Sequence, residues 1–163
     1  MNTLTQALAV IAILGSAVIG GVFFAFSSFV MKALARMPSA EGIAAMQSIN
    51  VTVLNPLFLG VFSGTAAVSV LIAVLAMLSW EAPGAPYFLA GAVLYVVGTF
   101  LVTGIGNVPL NNRLAAVSAT DPEAVEVWAH YLQRWTMLNT VRTIAALVGV
   151  LMFVAGLMQG GGA

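Results

Sequence analysis

Hydrophobic positions in this chain come in long unbroken runs, without the alternation of a half-buried strand or the single stripe of a surface helix. Four runs cover residues 7–31, 53–78, 87–107 and 136–158. A helix needs about 20 apolar residues to cross a hydrocarbon core, and each run is long enough. The runs are too continuously apolar for barrel strands with a wet inner face. Two segments of mixed character lie between them. Met37-Pro38 stops the first helix, and Ser39 can cap a short amphipathic helix over 40–52. Asn55-Pro56 then marks a kink or a fresh start at the second span. Further on, Asp121-Pro122-Glu123 joins a capping side chain, a first-turn Pro and an acid at the positive end of the helix dipole. It opens a second amphipathic helix over 122–135. No Pro follows and no Gly comes before Gly149, so that helix can run unbroken into the fourth span. The pattern predicts an all-α fold: an integral membrane four-helix bundle with two cytoplasmic amphipathic helices, in a single domain over 1–163.

Charge sets the expected orientation. Lys32 and Arg36 follow the first span, Arg113 and Arg134 lie between the third and fourth, and Arg142 stands just inside the fourth. With four crossings, those two connections share one side. The turn at 79–86 and both ends of the chain carry no Lys or Arg. The positive-inside rule puts both connections in the cytoplasm and both termini outside. Met1–Gln6 carries no basic residue and the first run is too long for a cleaved signal segment, so it reads as a span. Composition agrees: 61% of residues are hydrophobic and 6% charged, against about 25% charged in an average soluble domain. An Ala/Gly/Val-heavy composition with one Lys and four Arg suits a GC-rich bacterial source and hence a plasma membrane. The absence of cysteine removes disulfides, thiolate metal sites and cysteine nucleophiles. No basic run is present to hold nucleic acid.

Small residues recur at four-residue spacing: Ser16 and Gly20, Gly21 and Ala25, Gly60 and Gly64. They are expected to pack within the bundle, where small side chains let helix backbones approach. A short echo links Thr52-Val53-Leu54-Asn55 with Thr136-Met137-Leu138-Asn139, each entering an outward-going span, and suggests two hairpins of similar plan.

Candidate chemistry concentrates at the start of the fourth span. At roughly 100° per residue, Trp128, Leu132, Trp135, Asn139 and Arg142 fall on one stripe, descending from the cytoplasm into the membrane. Charges at membrane depth normally face a bundle interior or a wet cavity, which makes this stripe the candidate binding surface. The other reading is plain anchoring, with the tryptophans at the interface and Arg142 snorkelling to headgroups. No acid lies within an apolar span, so Arg142 must find carbonyls, Asn side chains, a loop carboxylate such as Glu41, water or a ligand. The third span ends in Asn107-Val-Pro109-Leu-Asn111-Asn112-Arg113, where amides surround a Pro that frees a backbone carbonyl. Asn55, Asn111, Asn139 and Arg142 can form a polar cluster at the cytoplasmic mouth, walled by Phe23, Phe24, Phe26, Phe29, Phe58 and Phe62. Such a site suits a flat, weakly polar ring system. His130 falls on the opposite face, one turn from Glu126, as a solvated pair. One His and no Cys leave little from which to build a metal or haem site inside one chain.

At these residues the chain resembles a known family. Gly21-Val-Phe-Phe-Ala-Phe-Ser-Ser-Phe-Val-Met-Lys-Ala-Leu34, Met46-Gln-Ser-Ile-Asn50, Asn55-Pro56, Asn107-Val-Pro-Leu-Asn111 and Trp128…Trp135-Thr…Asn139…Arg142-Thr143 are similar, in order over nearly the whole chain, to the anthrone oxygenase-like family of small four-helix membrane proteins. The resemblance implies cofactor-independent oxidation of an anthrone to an anthraquinone by O2. That reaction needs an apolar aromatic slot and donors for an oxyanion, and the residues expected to supply them are Asn139 and Arg142 as the catalytic pair, stabilising an enolate oxygen, with Trp128, Trp135, Asn55, Asn111 and Phe26 as substrate-binding residues. The chain departs from the family pattern at Thr140, where His is frequent. The expected partners are a hydrophobic aromatic small molecule and membrane lipids, with a homo-oligomer or larger membrane complex left open. The competing expectation is a non-enzymatic membrane subunit, or a lipid- or quinone-binding protein, within a larger complex.

Overall fold

Residues 3–160 are described by a computed structural model and form five helices, with no strand among the described residues. They are α1 (Thr3–Leu34), α2 (Ser39–Thr52), α3 (Pro56–Leu78), α4 (Ala85–Ala115) and α5 (Ala124–Gly160). All but α2 are long and apolar enough to cross a membrane. Their outward faces are apolar, with Leu14, Val18, Leu71, Ile144 and Leu151 all exposed. An apolar surface of that extent is one a lipid environment solvates.

The helix limits follow local chemistry. α2 starts after Pro38, whose carbonyl accepts the amides of Glu41 and Gly42. α3 starts at Pro56, three residues later than the apolar run, because Asn55 caps it. The Asn55 Oδ1 accepts the Phe58 amide at 3.0 Å and its Nδ2 donates to the Thr52 carbonyl at 3.0 Å. α4 runs beyond residue 107, where the apolar pattern stopped, through Pro109 to Ala115. A mid-helix Pro lacks its N–H and crowds the carbonyl four residues back. Here the preceding stretch, Thr103–Asn107, is wound as a π-helix, and that wider winding accommodates the ring. The segments expected at 122–135 and 136–158 are one continuous helix of 37 residues.

The four long helices contact one another in the cyclic order α1, α3, α4, α5. Their core lies in three layers. Ala9, Ala12, Ile72, Phe88 and Phe153 fill the layer near the chain ends. Ile19, Phe23, Phe62, Ala66 and Tyr95 fill the middle. Met31, Leu34, Ile43, Met46, Leu114, Trp128, Tyr131 and Trp135 fill the layer nearest Lys32, Arg36 and Arg113. Close approach is set by glycine: a Cβ on Gly98 would lie 2.5 Å from the Ala145 Cβ, and one on Gly15 would overlap the Thr65 Oγ1. Of the small residues singled out by spacing, Ser16 and Gly20 are buried as expected. Gly21, Gly60 and Gly64 instead face open space, with nothing within 4 Å of a Cβ.

Candidate functional site

Because α5 has no break, helical phase is kept from its first turn to membrane depth. Trp128, Trp135, Asn139 and Arg142 are consequently buried on one face, and Leu132 beside them is half-buried. Tyr131 belongs with them. Its ring stacks between Trp128 and Trp135, with centroids 5.7 and 5.9 Å away and planes within 16° and 21°. The Tyr131 hydroxyl donates to Asn111 Oδ1 at 2.9 Å and accepts from Asn50 Nδ2 at 3.3 Å. Trp135 Nε1 donates to the same Asn111 oxygen at 2.8 Å. Asn111 thus ties α4 to α5, while its Nδ2 has no acceptor among the described residues.

Arg142 lies one further turn into the core, 3% exposed. Its Nη1 donates to Thr103 Oγ1 at 3.0 Å and its Nη2 to Asn139 Oδ1 at 2.6 Å. The guanidinium carbon lies 4.0 Å from the Phe23 ring centroid and 5.3 Å from that of Trp135. Nε is buried and has no hydrogen-bond partner among the described residues. These neighbours are all neutral, and Glu41 is exposed at the start of α2. Burying a lone cation costs several kcal/mol. The contact with Phe23 and two charge-assisted hydrogen bonds, worth about 1.5–3 kcal/mol each, offset much of that cost. The guanidinium nonetheless has no counter-ion among the described residues and one buried donor, Nε, unspent.

Asn139 is fully buried, and its capacity is spent on protein groups. Its Nδ2 donates to the Phe23 carbonyl and to Ser27 Oγ, both at 2.7 Å, while its Oδ1 takes the Arg142 proton. The Ser27 hydroxyl lies in the π-wound stretch Phe26–Val30 of α1. A third π-wound stretch, Leu94–Leu101, carries Thr99, whose hydroxyl donates to the Arg142 carbonyl at 3.3 Å. Two of these π-wound stretches thus carry a residue bonded to Arg142, Thr103 and Thr99, and the third carries Ser27, bonded to Asn139. Such windings recur at functional sites, where they re-aim side chains.

Beside Arg142 is a half-open cavity of about 390 Å³ to which all five helices contribute, within the roughly 300–1,000 Å³ usual for small-molecule sites. Phe23 and Phe26 from α1, and Phe58 and Phe62 from α3, form aromatic walls. Met46 and Asn50 come from α2, Thr103 and Asn111 from α4, Trp135 and Arg142 from α5. Phe58 and Phe62 stack at 5.9 Å and 11°, a flat wall, and Phe26 meets Trp135 at 5.8 Å and 55°. A second cavity of about 280 Å³ at the opposite end has only the hydroxyls of Thr5 and Ser79 among its side-chain polar groups.

Of the residues singled out from sequence, Phe26, Asn111, Trp135 and Arg142 line the large cavity together. Asn139 stands behind Arg142 and holds it. Trp128 packs away from the cavity, where a Cβ on Gly42 of α2 would meet its indole at 3.0 Å. Asn55 is exposed and engaged in capping, outside the lining. His130 and Glu126 are both exposed. Thr140 is exposed too, bonded to Ser27 and to the Thr136 carbonyl. Sequence reasoning missed Tyr131 and Thr103. The spacing Trp128, Tyr131, Trp135 was the available signal for the first. Thr103 had none, because π winding changes the phase of α4.

Four helices of membrane-spanning length around a half-open aromatic cavity, with one buried cation beside it, define a small all-helical membrane-type protein with a ligand-sized site. The chain belongs to the anthrone oxygenase family, whose pattern matches residues 57–152. That match takes in Asn107–Asn111 and Trp128–Arg142 but not α1 or α2. No curated protein and no solved structure matches the chain.

Proposed function

We propose that this protein binds a flat, enolisable aromatic molecule in the Arg142 cavity and promotes its oxidation by O2, anthrone to anthraquinone being the type reaction. The observation that carries the reading is the buried Arg142 without a counter-ion, at the base of an aromatic cavity in a chain of this family. The ring CH2 of an anthrone loses a proton to give an enolate, and the enolate oxygen supplies the counter-charge that the Arg142 guanidinium lacks among the described residues. The electron-rich carbon then takes up O2. Loss of water from the resulting hydroperoxide leaves the second carbonyl, so one oxygen atom enters the product and the other leaves as water. Arg142 is the catalytic residue, stabilising the oxyanion by preorganised charge. Asn139 and Thr103 position it. The free Nδ2 of Asn111 is a donor for the substrate's other oxygen, and Phe26, Phe58 and Trp135 hold the ring.

A second reading, binding of a quinone or lipid without turnover, draws support from one observation. Among the described lining residues, Arg142 is the only one with an ionisable side chain, so a general base titrating near neutrality is lacking. In the oxygenase reading, water and the substrate's own acidity serve instead. The cavity itself weighs against a purely structural subunit. We place the protein in a plasma membrane on its composition, and, on the charge asymmetry, with both termini outside and its basic connections in the cytoplasm. The test is quinone formation from a simple anthrone under air by the detergent-purified protein. The expected result is a rate above the spontaneous one that falls at least about 100-fold in Arg142→Met, the usual cost of losing one oxyanion donor. Binding of the anthrone without such a rate would establish the second reading.

A further inference from the structure

We infer that the ligand of the Arg142 cavity enters sideways from the lipid, between the start of α3 and the last turns of α4, and that α2 seals the site against water. The inference rests on the reading of this cavity as a site for a hydrophobic aromatic molecule. Contacts between α3 and α4 are concentrated over Ala85–Leu101, and beyond that stretch α4 packs on α5 and α2. The two helices therefore part where the cavity lies. Its lip is open and mostly apolar: Val51 at the end of α2 and Leu54 just before α3 are 74% and 66% exposed, and Val108 on the other side is 40% exposed, with Asn112 the one exposed polar side chain among the described lining residues. The residues flanking this lip are more exposed still, Leu57 at 79% and Ile105 at 80%. Exposed apolar side chains on both sides of an opening belong against hydrocarbon, and no Lys, Asp or Glu is among the described lining residues.

Toward the basic loops, α2 is strapped across the cavity. Gln47 Nε2 donates to the carbonyls of Leu114 and Val117 at 2.9 and 3.0 Å, strapping α2 to the end of α4. Asn50 donates to Tyr131 on α5, and Ile43 and Met46 are buried in the layer with Leu114 and Trp135. Gly42 lets α2 seat against Trp128: a Cβ there would lie 3.0 Å from both the indole and the Leu34 carbonyl. A ligand arriving from water would have to lift α2 out of this packed layer, whereas one dissolved in lipid meets an opening. The substrate class is thereby narrowed to molecules that partition into the bilayer and reach the guanidinium from it.

The chain has no cysteine, so single-cysteine variants report their own environment. In inside-out vesicles, whose outer surface presents the basic connections and α2, Leu54→Cys and Val108→Cys are expected to react with a bulky lipid-partitioning maleimide and to resist a membrane-impermeant charged thiosulfonate. Ser48→Cys, on the exposed side of α2, is expected to show the reverse. Attaching a bulky thiosulfonate adduct at 48 should leave the association rate of 1,8-dihydroxyanthraquinone, read by tryptophan quenching, within about twofold. The maleimide adduct at 54 or 108 should slow association about tenfold or more, a steric gate acting on rate. Charged-reagent labelling at 54 and 108, or slowing by the adduct at 48 alone, would overturn lateral entry. Absence of quenching in the unlabelled protein would instead overturn the ligand reading, and the labelling pattern would still decide whether the lip lies in lipid.

Discussion

Arg142 and Asn139 stand three residues apart on α5 and divide one task. The guanidinium reaches the cavity, and the amide, bonded at 2.6 Å, sets where it reaches. The orientation of that amide is determined by its partners: only Oδ1 can face the Arg donor, and only Nδ2 can face the Phe23 carbonyl. If the site's demand for negative charge is what selects the ligand, a carboxylate built in at Asn139 should satisfy it in advance. Asn139→Asp is expected to weaken binding of an anionic hydroxyanthraquinone about tenfold or more, since two charges at contact interact by several kcal/mol at intermediate dielectric. Neutral anthracene should bind within about twofold of its usual affinity. Equal weakening of both ligands, measured by tryptophan quenching, would show that Asn139 shapes the cavity rather than its charge. Asn55 illustrates how the same residue type does other work. The echo with Asn139 is real in sequence, but one Asn caps an exposed helix start and the other holds a buried cation.

At the scale of helices, the decisive contacts are the glycines that let α4 and α5 approach. Gly98 opposes Ala145, Gly91 opposes Phe153, and Gly156 opposes Phe88, each with room for a hydrogen and no more. Gly98→Leu is expected to cost about 1–3 kcal/mol by forcing the helices apart, read as a lower thermal midpoint in detergent. Gly60→Ala and Gly64→Ala should leave the midpoint unchanged or raise it slightly, because they meet nothing and Ala favours the helix. A large loss at Gly60 would mean that its open face is covered in the native membrane. Spacing alone could not sort these glycines, since the four-residue period places them on a face without saying which face looks inward.

Across the whole molecule, the basic residues Lys32, Arg36, Arg113 and Arg134 lie at one end of the four long helices, and none lies at the other. The proposed orientation makes a direct prediction. Cysteines introduced just before Thr3 and just after Gly160 should react with an impermeant thiol reagent on intact cells, and a cysteine at Arg113 should react only after permeabilisation. The opposite pattern would reverse the topology and with it the side that α2 seals. The number of long helices, the all-helical class and the polar face of α5 were legible in the chain, because run length, helix breakers and a 3.6-residue period are local properties that survive any packing. Other features were decided only by tertiary structure: the cavity beside Arg142, the bond from Arg142 to Thr103, the seating of Trp128 against α2, and the continuation of α4 past Pro109. The first three depend on how neighbouring helices are phased against one another, and the last on the π winding of Thr103–Asn107, which the residue pattern does not encode.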